Sequence, residues 1–351
     1  MFVGTYSRNG SEGIYTMRMD ADTGSLTAPE LAAKADNPSF LALHPSGRFL
    51  YAVSETGRYQ GQSSGAVTAF AVDPATGRLT ELNRQPTGGA APCHLAVDAT
   101  GRALVIANYT DGTVASFPIA GDGTLGALVS KVPHAGTGPN AQRQKGPHAH
   151  GVTFDASNRY AFIPDLGIDR IMIYKLDAPT AKLTPHDPAF AALPPGAGPR
   201  HFAFHPSKAL AWSINELDST VTTFAWDARS GALERRESVS TLPPGGTNRS
   251  TTAEIAVHPS GRFLYGSNRG HDSIAVFAID GATGRLSPVQ HQATGGRTPR
   301  SFALDPSGRF LLAANQDSGH IVAFRVDPDT GRLAPAGHEA RVALPVCVLF
   351  R

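Results

Sequence analysis

The sequence predicts an all-β fold, a seven-bladed β-propeller with four antiparallel strands in each blade, and three observations carry that prediction. The phrase HPSGRFLYAVSE at residues 44–55 returns as DATGRALVIAN, DASNRYAFIPD, HPSKALAWSIN, HPSGRFLYGSN and DPSGRFLLAAN, at intervals of 47 to 57 residues. A turn phrase, first DTGSL ending at Leu26 and last DTGRL ending at Leu333, occurs seven times. Between the two phrases lie short runs rich in Val, Ile and Phe, such as FLYAV and AVTAFAV, bounded by Gly, Pro, Asp and Asn and without a sustained helical period. A repeat of about 50 residues means a propeller or a solenoid, and four short strands per unit choose the propeller.

The strands follow in order within each unit. A first strand precedes the HPSGR-type turn, a second follows it, a third leads to the TG-R-L turn and a fourth leaves it. The chain starts inside a unit, with MFVGTY in the place of a second strand, and ends with PVCVLFR in the place of a first. Residues 345–351 and 1–34 are therefore expected to build the closing blade together, which removes the free sheet edge of an open ring. One domain spanning 1–351 results, although length alone would suggest two or more.

Bulk composition excludes several function classes. With 41% hydrophobic residues the chain can bury a large core, and a net charge of +2 leaves no basic stripe for nucleic acid. No run approaches the length of a membrane span, and MFVGTYSRNG lacks the charged and apolar regions of a signal peptide. The expectation is a soluble cytoplasmic protein. Cys93 and Cys347 are the only cysteines, too few for a disulfide framework and without metal-ligand spacing; they read as small buried residues.

The repeats also act as an internal control: what recurs in every blade serves the fold. His44, His205 and His258 share a column with Asp98, Asp155 and Asp305 at a turn on one face and read as turn residues. Glu55, Asn108, Asp165, Asn215, Asn268 and Asn315 read as a second, rim-satisfying column. Residues just before each first strand and just after each second strand ring one mouth of the channel, and there each blade differs. That ring holds His148 and His150 in GPHAHG, Arg200 and His201 in GPRHF, Glu254 in TTAEI, Arg300 in TPRSF and His94 in APCHL. Glu216, Arg269 with His271, Tyr109 and Gln316 follow the second strands. Unlike titratable groups around one mouth are what a small-molecule site requires. The polar, glycine-rich loop 131–151 hangs over the same mouth and either carries Arg143 and Lys145 over a bound anion or is a flexible insertion.

The stretches GPHAHG, GPRHFAFHP, NEL and SNRGHDSIAVF, with the TG-R-L turn in each blade, resemble the seven-bladed lactonase family. This family includes propeller-type 6-phosphogluconolactonases and fungal 3-carboxy-cis,cis-muconate lactonizing enzymes. The resemblance covers essentially the whole chain and implies a reaction on a lactone ring. It also implies His148, Arg200, Glu216 and Arg269 as the active-site groups.

Opening a sugar lactone needs a general base, an oxyanion stabiliser and a cationic clamp for the substrate's anion. Glu216 or His148 can take the proton of water. Arg200 and Arg269 offer forked donors, with His150, His201, His271, Arg300 and Glu254 as further substrate-binding groups. No G-x-S-x-G elbow supports a serine nucleophile, and His148 with His150 lacks a matching set of carboxylates, so the expected site uses neither a metal nor a cofactor. The leading expectation is hydrolysis of a small anionic lactone, 6-phosphogluconolactone foremost. A muconate-type cycloisomerase and a non-enzymatic binding propeller are the competing readings.

Overall fold

The computed structural model describes residues 1–246 and 249–351. The chain opens with β1 (Phe2–Thr5), β2 (Gly13–Thr16) and β3 (Glu30–Lys34). Complete blades follow as β4–β7 (Leu41–Leu43, Phe49–Ser54, Ala66–Val72, Leu79–Pro86), β8–β11 (Pro92–Val97, Ala103–Asn108, Thr113–Pro118, Ser130–Pro133) and β12–β15 (Thr153–Phe154, Tyr160–Asp165, Arg170–Asp177, Lys182–Ala192). Next come β16–β19 (Pro199–Phe204, Leu210–Asn215, Thr220–Asp227, Ala232–Ser240), β20–β23 (Thr251–Val257, Phe263–Arg269, Ser273–Ile279, Leu286–Ala293) and β24–β27 (Pro299–Leu304, Phe310–Asn315, His320–Val326, Leu333–Arg341). Finally β28 (Pro345–Leu349) pairs antiparallel with β1, through Phe2 with Leu349, Val3 with Val348 and Gly4 with Cys347. Seven four-stranded sheets result, as the repeats predict. Among the described residues no helix is long and apolar enough to cross a membrane.

Burial explains the sequence pattern. The second strands β5, β9, β13, β17 and β25 are buried along their whole length because a neighbouring blade covers each face, so they read as continuous apolar runs rather than alternations. Tyr51, Val53, Leu104, Ile106 and Phe117 form one such interface between blades, and Phe162, Ile173, Phe202, Phe224 and Trp226 form another. The outermost strands face water; β19, reading ALERRESVS, is mostly exposed.

The recurrent residues fasten blade to blade. His44, His205 and His258 each donate from Nε2 to a glycine carbonyl in the next blade, Gly101, Gly261 and Gly308, at 3.0, 3.1 and 3.0 Å. Their Nδ1 atoms accept backbone N–H groups of their own turns. Asp98, Asp155 and Asp305 accept turn N–H groups in the same place. The TG-R-L turn is read the same way. Tyr265 donates its hydroxyl to the Gly331 carbonyl at 2.9 Å, and Gly331 has φ +70° with the Phe263 ring packed where a Cβ would stand. A glycine there supplies both the left-handed backbone and the space.

The seal between the termini gives a first expected result. Val346 and Val348 are buried, and burial of each such side chain is worth about 1.5–3 kcal/mol. Deleting residues 345–351 also leaves β1 with an open edge. The truncated chain should unfold at a clearly lower temperature, and an unchanged thermal transition would contradict closure as a source of stability.

Candidate active site

Two backbone devices bring the unlike residues together. The first is a bulge near the mouth end of the inner strands: the pairing register shifts at Pro92/His94, Pro199/His201, Thr252/Ile255 and Pro299/Ser301. Each shift falls on or beside a site residue. A bulge breaks the in-and-out alternation, so neighbours such as Arg200 and His201 can both serve the channel. The second is a bond between the residue following a second strand and the residue preceding the first. The N–H groups of Tyr6, Glu55, Tyr109, Glu216 and Gln316 donate to the carbonyls of Leu344, Asn37, Ala91, Gly198 and Thr298, all five at positive φ.

That second device corrects the sequence reading of Glu55. Its strand ends at Ser54, which pairs with Ala66 as Asn108 pairs with Thr113. Glu55 therefore belongs one residue further along, in the mouth ring with Tyr109 and Glu216, and is not a member of the rim-satisfying column. Tyr6 occupies the same ring position in the closing blade and donates its hydroxyl to Glu55 at 3.1 Å from either oxygen. The repeat phrases contain the signal for both residues, but only once they are aligned without a one-residue slip.

Glu216 is the centre of the cluster. Arg143 Nη2 donates to its Oε1 at 2.7 Å, while Arg269 Nη2 at 2.8 Å and Arg200 Nε at 3.2 Å face Oε2 as ion pairs, the latter without hydrogen-bond alignment. Burial alone would push this carboxyl up, but Arg269, Arg200 and Arg143 outweigh it and hold it at about 2. Arg200 is itself buried; its Nη1 donates to the Ala253 carbonyl at 2.8 Å and to His201 Nε2 at 3.1 Å. Desolvation, with Arg300 and Arg269 nearby, lowers Arg200 to about 10, which leaves it charged at neutral pH.

His201 shows its tautomer through these contacts. Arginine can only donate, so Nε2 accepts and the ring proton sits on Nδ1, which donates to Glu254 Oε1 at 2.8 Å. Burial pushes Glu254 up to about 7 against the pull of Arg200, and burial drives His94, His150 and His201 well below the usual imidazole value. The three rings pack edge to face, with His201 4.9 Å from His94 and 5.5 Å from His150. They line the channel as neutral donors and acceptors. Among the described residues no three His, Cys, Asp or Glu side chains are grouped so as to hold a metal ion. Cys93 lies beside His150 Nδ1 at 3.7 Å, and desolvation pushes its thiol up, away from a nucleophilic thiolate.

His148 stands at the solvent side of the cluster. Its Nδ1 donates to the Tyr109 carbonyl at 2.8 Å, so neutral His148 keeps an open lone pair on Nε2. The ring stacks on Tyr109 at 4.6 Å, and the Tyr109 hydroxyl accepts from Arg143 Nη2 at 3.1 Å. His148, Tyr109, Arg143, Glu216, Arg200 and Arg269 thus form one continuous set of contacts. Arg300 sits over the Tyr6 ring at 5.6 Å; Tyr6 and Glu55 more than offset its desolvation and raise it above the usual guanidinium range. Among the described residues no hydrogen bond satisfies its guanidinium. His271 is not brought into the cluster: it bonds Ser273 at 2.7 Å and faces His291 on the outermost strand of its blade.

The loop over the mouth is built, not loose. Its first residues, Lys131–Pro133, belong to β11. Gln144 is buried and donates to the Leu166 carbonyl and to Asp169, each at 2.8 Å, which delivers its neighbour Arg143 to the mouth. Lys145 points to solvent. Arg143 keeps 38% of its side chain exposed, and both Nη2 protons are used by Glu216 and Tyr109; Nη1 and Nε remain for another partner.

Residues 1–350 match the family described as "Lactonase, 7-bladed beta-propeller". A 6-phosphogluconolactonase of Bacillus subtilis is 40% identical over 300 residues, 85% of this chain and 83% of that protein. Among solved structures, the periplasmic gluconolactonase of Pseudomonas aeruginosa has a TM-score of 0.91 at 34% identity, covering 98% of this chain and 96% of the other. A putative 6-phosphogluconolactonase of Bacteroides fragilis has 0.91 at 36%, covering 99% and 96%. The fold, the whole-length match and the cluster at one mouth agree, and the chain belongs to the seven-bladed β-propeller lactonases, enzymes that hydrolyse lactone esters.

Proposed function

We propose that the mouth hydrolyses a sugar lactone whose far end carries an anion, 6-phosphogluconolactone being the substrate that suits it best. One observation carries this reading: three arginines pair with a single carboxylate, and one of them, Arg143, keeps unspent donors while it bonds the Tyr109 side chain on which His148, with its open Nε2, is stacked. The names of the relatives support the same substrate class. The cytoplasm suits a phosphorylated sugar, whose charge bars it from crossing a bilayer unaided.

In this mechanism water gives a proton to His148 Nε2 as its oxygen attacks the lactone carbonyl. The developing oxyanion meets arginine donors already in place, so little reorganisation is needed when charge appears. Collapse breaks the ring C–O bond, and the proton on His148 passes to the leaving alkoxide. Glu216 is a poor base here, because both its oxygens are held by arginine and its pKa stays near the bottom of the carboxylate range. Its part is to hold three guanidinium groups together. Arg200 and Arg269 are tied to Glu216 as buried ion pairs and spend donors on the Ala253 and Thr252 carbonyls, which makes the more exposed Arg143 the better placed clamp for the substrate's anion.

The test is a panel of phosphorylated sugar lactone, its unphosphorylated counterpart and a muconolactone, with spontaneous hydrolysis subtracted. Arg143→Lys keeps the charge but loses the fork. A charge-assisted contact of about 1.5–3 kcal/mol is then lost, roughly ten- to a hundredfold in kcat/KM for the phosphorylated substrate, with a much smaller loss for the neutral one. Equal losses would move Arg143 from anion clamp to the reacting carbonyl. Preferential turnover of the muconolactone would replace hydrolysis of a sugar lactone with the cycloisomerase reading.

A further inference from the structure

We propose that Asp165 and His134 form a clamp that closes the base of the loop 134–148 and thereby positions His148 and Arg143 at the mouth. The inference rests on the reading of those two residues as site residues. Both ends of the loop meet at one buried carboxylate. His134 Nδ1 donates to Asp165 Oδ2 at 2.6 Å, while the His148 and Gly167 N–H groups donate to Oδ1 at 2.7 and 2.9 Å. The His134 and Asp165 side chains are both fully out of solvent.

The inner strand of this blade explains why a clamp is needed. Elsewhere a first strand such as β8 or β16 runs over six residues and its ladder holds the mouth end. Here β12 is Thr153–Phe154 alone. The segment bearing His148 and His150 is left with an isolated bridge from Ala149 to Asp165 and the bonds of His150 N–H to Pro164 and of Leu166 N–H to His148. Side-chain bonding from Asp165 replaces the missing ladder.

The repeats show what the pair replaces. At three other junctions a threonine meets an asparagine of the next blade: Asn108, Asn268 and Asn315 donate to the carbonyls of Thr87, Thr241 and Thr294 at 3.3, 2.9 and 3.1 Å. His134 occupies the threonine position, since its N–H donates to Gly112 as those of Thr87, Thr241 and Thr294 donate to Gly65, Ser219 and Asp272. Three donors converge on Asp165, one of them the imidazole N–H. A carboxylate accepts at both oxygens, whereas an asparagine would turn its own NH2 toward His134. Nε2 of His134 is buried without a partner among the described residues, so nothing competes with Asp165 for the ring's tautomer. The loop also packs closely on the hairpin beyond it, where a Cβ on Gly167 would collide with the Gly146 carbonyl.

Three variants of the full chain test the clamp: Asp165→Ala, Asn315→Ala as a junction cut without a loop, and the double change His134→Thr with Asp165→Asn, which installs the pair used at the sister junctions. Amide hydrogen exchange over residues 134–148 reads the loop without any substrate. In Asp165→Ala that exchange should accelerate and kcat should fall by at least about tenfold, on the scale that misplacement of a reacting group costs, with the pH limb of kcat/KM unmoved. Asn315→Ala should lower thermal stability yet leave both readouts nearly as in the parent. The double variant should fold and recover most of kcat, because its asparagine Oδ1 can still accept from His148. Matching behaviour of Asp165→Ala and Asn315→Ala would overturn the clamp, as would faster loop exchange with unchanged kcat. A displaced pH limb would assign Asp165 to titration instead of position. Should no lactone be turned over, unchanged exchange in Asp165→Ala would still overturn it.

Discussion

His148→Asn should lower kcat by about 10²–10⁴-fold, the usual contribution of a positioned general base, while KM changes little and the protein stays folded. The choice of asparagine matters. Its amide can take the place of Nδ1–H and keep the bond to the Tyr109 carbonyl, and its small plane can still lie against the Tyr109 ring. What it lacks is the basic nitrogen at Nε2. The comparison variant is His205→Ala, which cuts a fastener to Gly261 on the opposite face and should cost stability without cutting turnover. If His148→Asn kept kcat within the scatter of His205→Ala, the base would lie elsewhere. Glu254, which burial raises to about 7, would then be the first carboxyl to examine, ahead of Glu216.

The sequence carries the ring and most of the residues in it. Repetition alone places Arg200, Glu216, Arg269 and His148 at one mouth, and the structure joins them in a single network. What it does not carry is register and reach. Glu55 was displaced by one position because its blade ends its second strand in Ser54 where others have Asn or Asp, so the polar residue that catches the eye lies one step late. A bulge lets Arg200 and His201 serve the same channel, and no local pattern in GPRHF announces it. Arg143 reaches Glu216 only because Gln144 is anchored to Leu166 and Asp169, residues distant in the chain. His271 is the converse: the motif around it suggested the mouth, but its ring bonds Ser273 and faces the outer strand.

Removing the carboxylate at Glu216 should be among the most destabilising single changes in the chain. Glu216→Ala leaves Arg200 and Arg269 as buried cations beside each other, and breaking a buried pair by deleting one partner costs about 3–5 kcal/mol. Arg143, more exposed, adds less because solvent screens it. The sign of the pH dependence follows from the same contacts. The folded carboxyl lies at about 2, below its ordinary value near 4.5, so its contribution is present above the ordinary value and is lost as pH falls through that interval. Acid should therefore destabilise the parent more steeply than the Glu216→Ala chain. The competing view, that Glu216 matters only as a base, expects Glu216→Ala to lose turnover at unchanged stability. Adding Arg269→Met to Glu216→Ala separates the two: relief of like-charge crowding should return part of the lost stability, which a purely catalytic carboxylate could not produce. Denaturant unfolding of the parent, both single variants and the double variant supplies the coupling energy directly. A coupling near zero would mean that water already screens the arginines, and that Glu216 does not organise them.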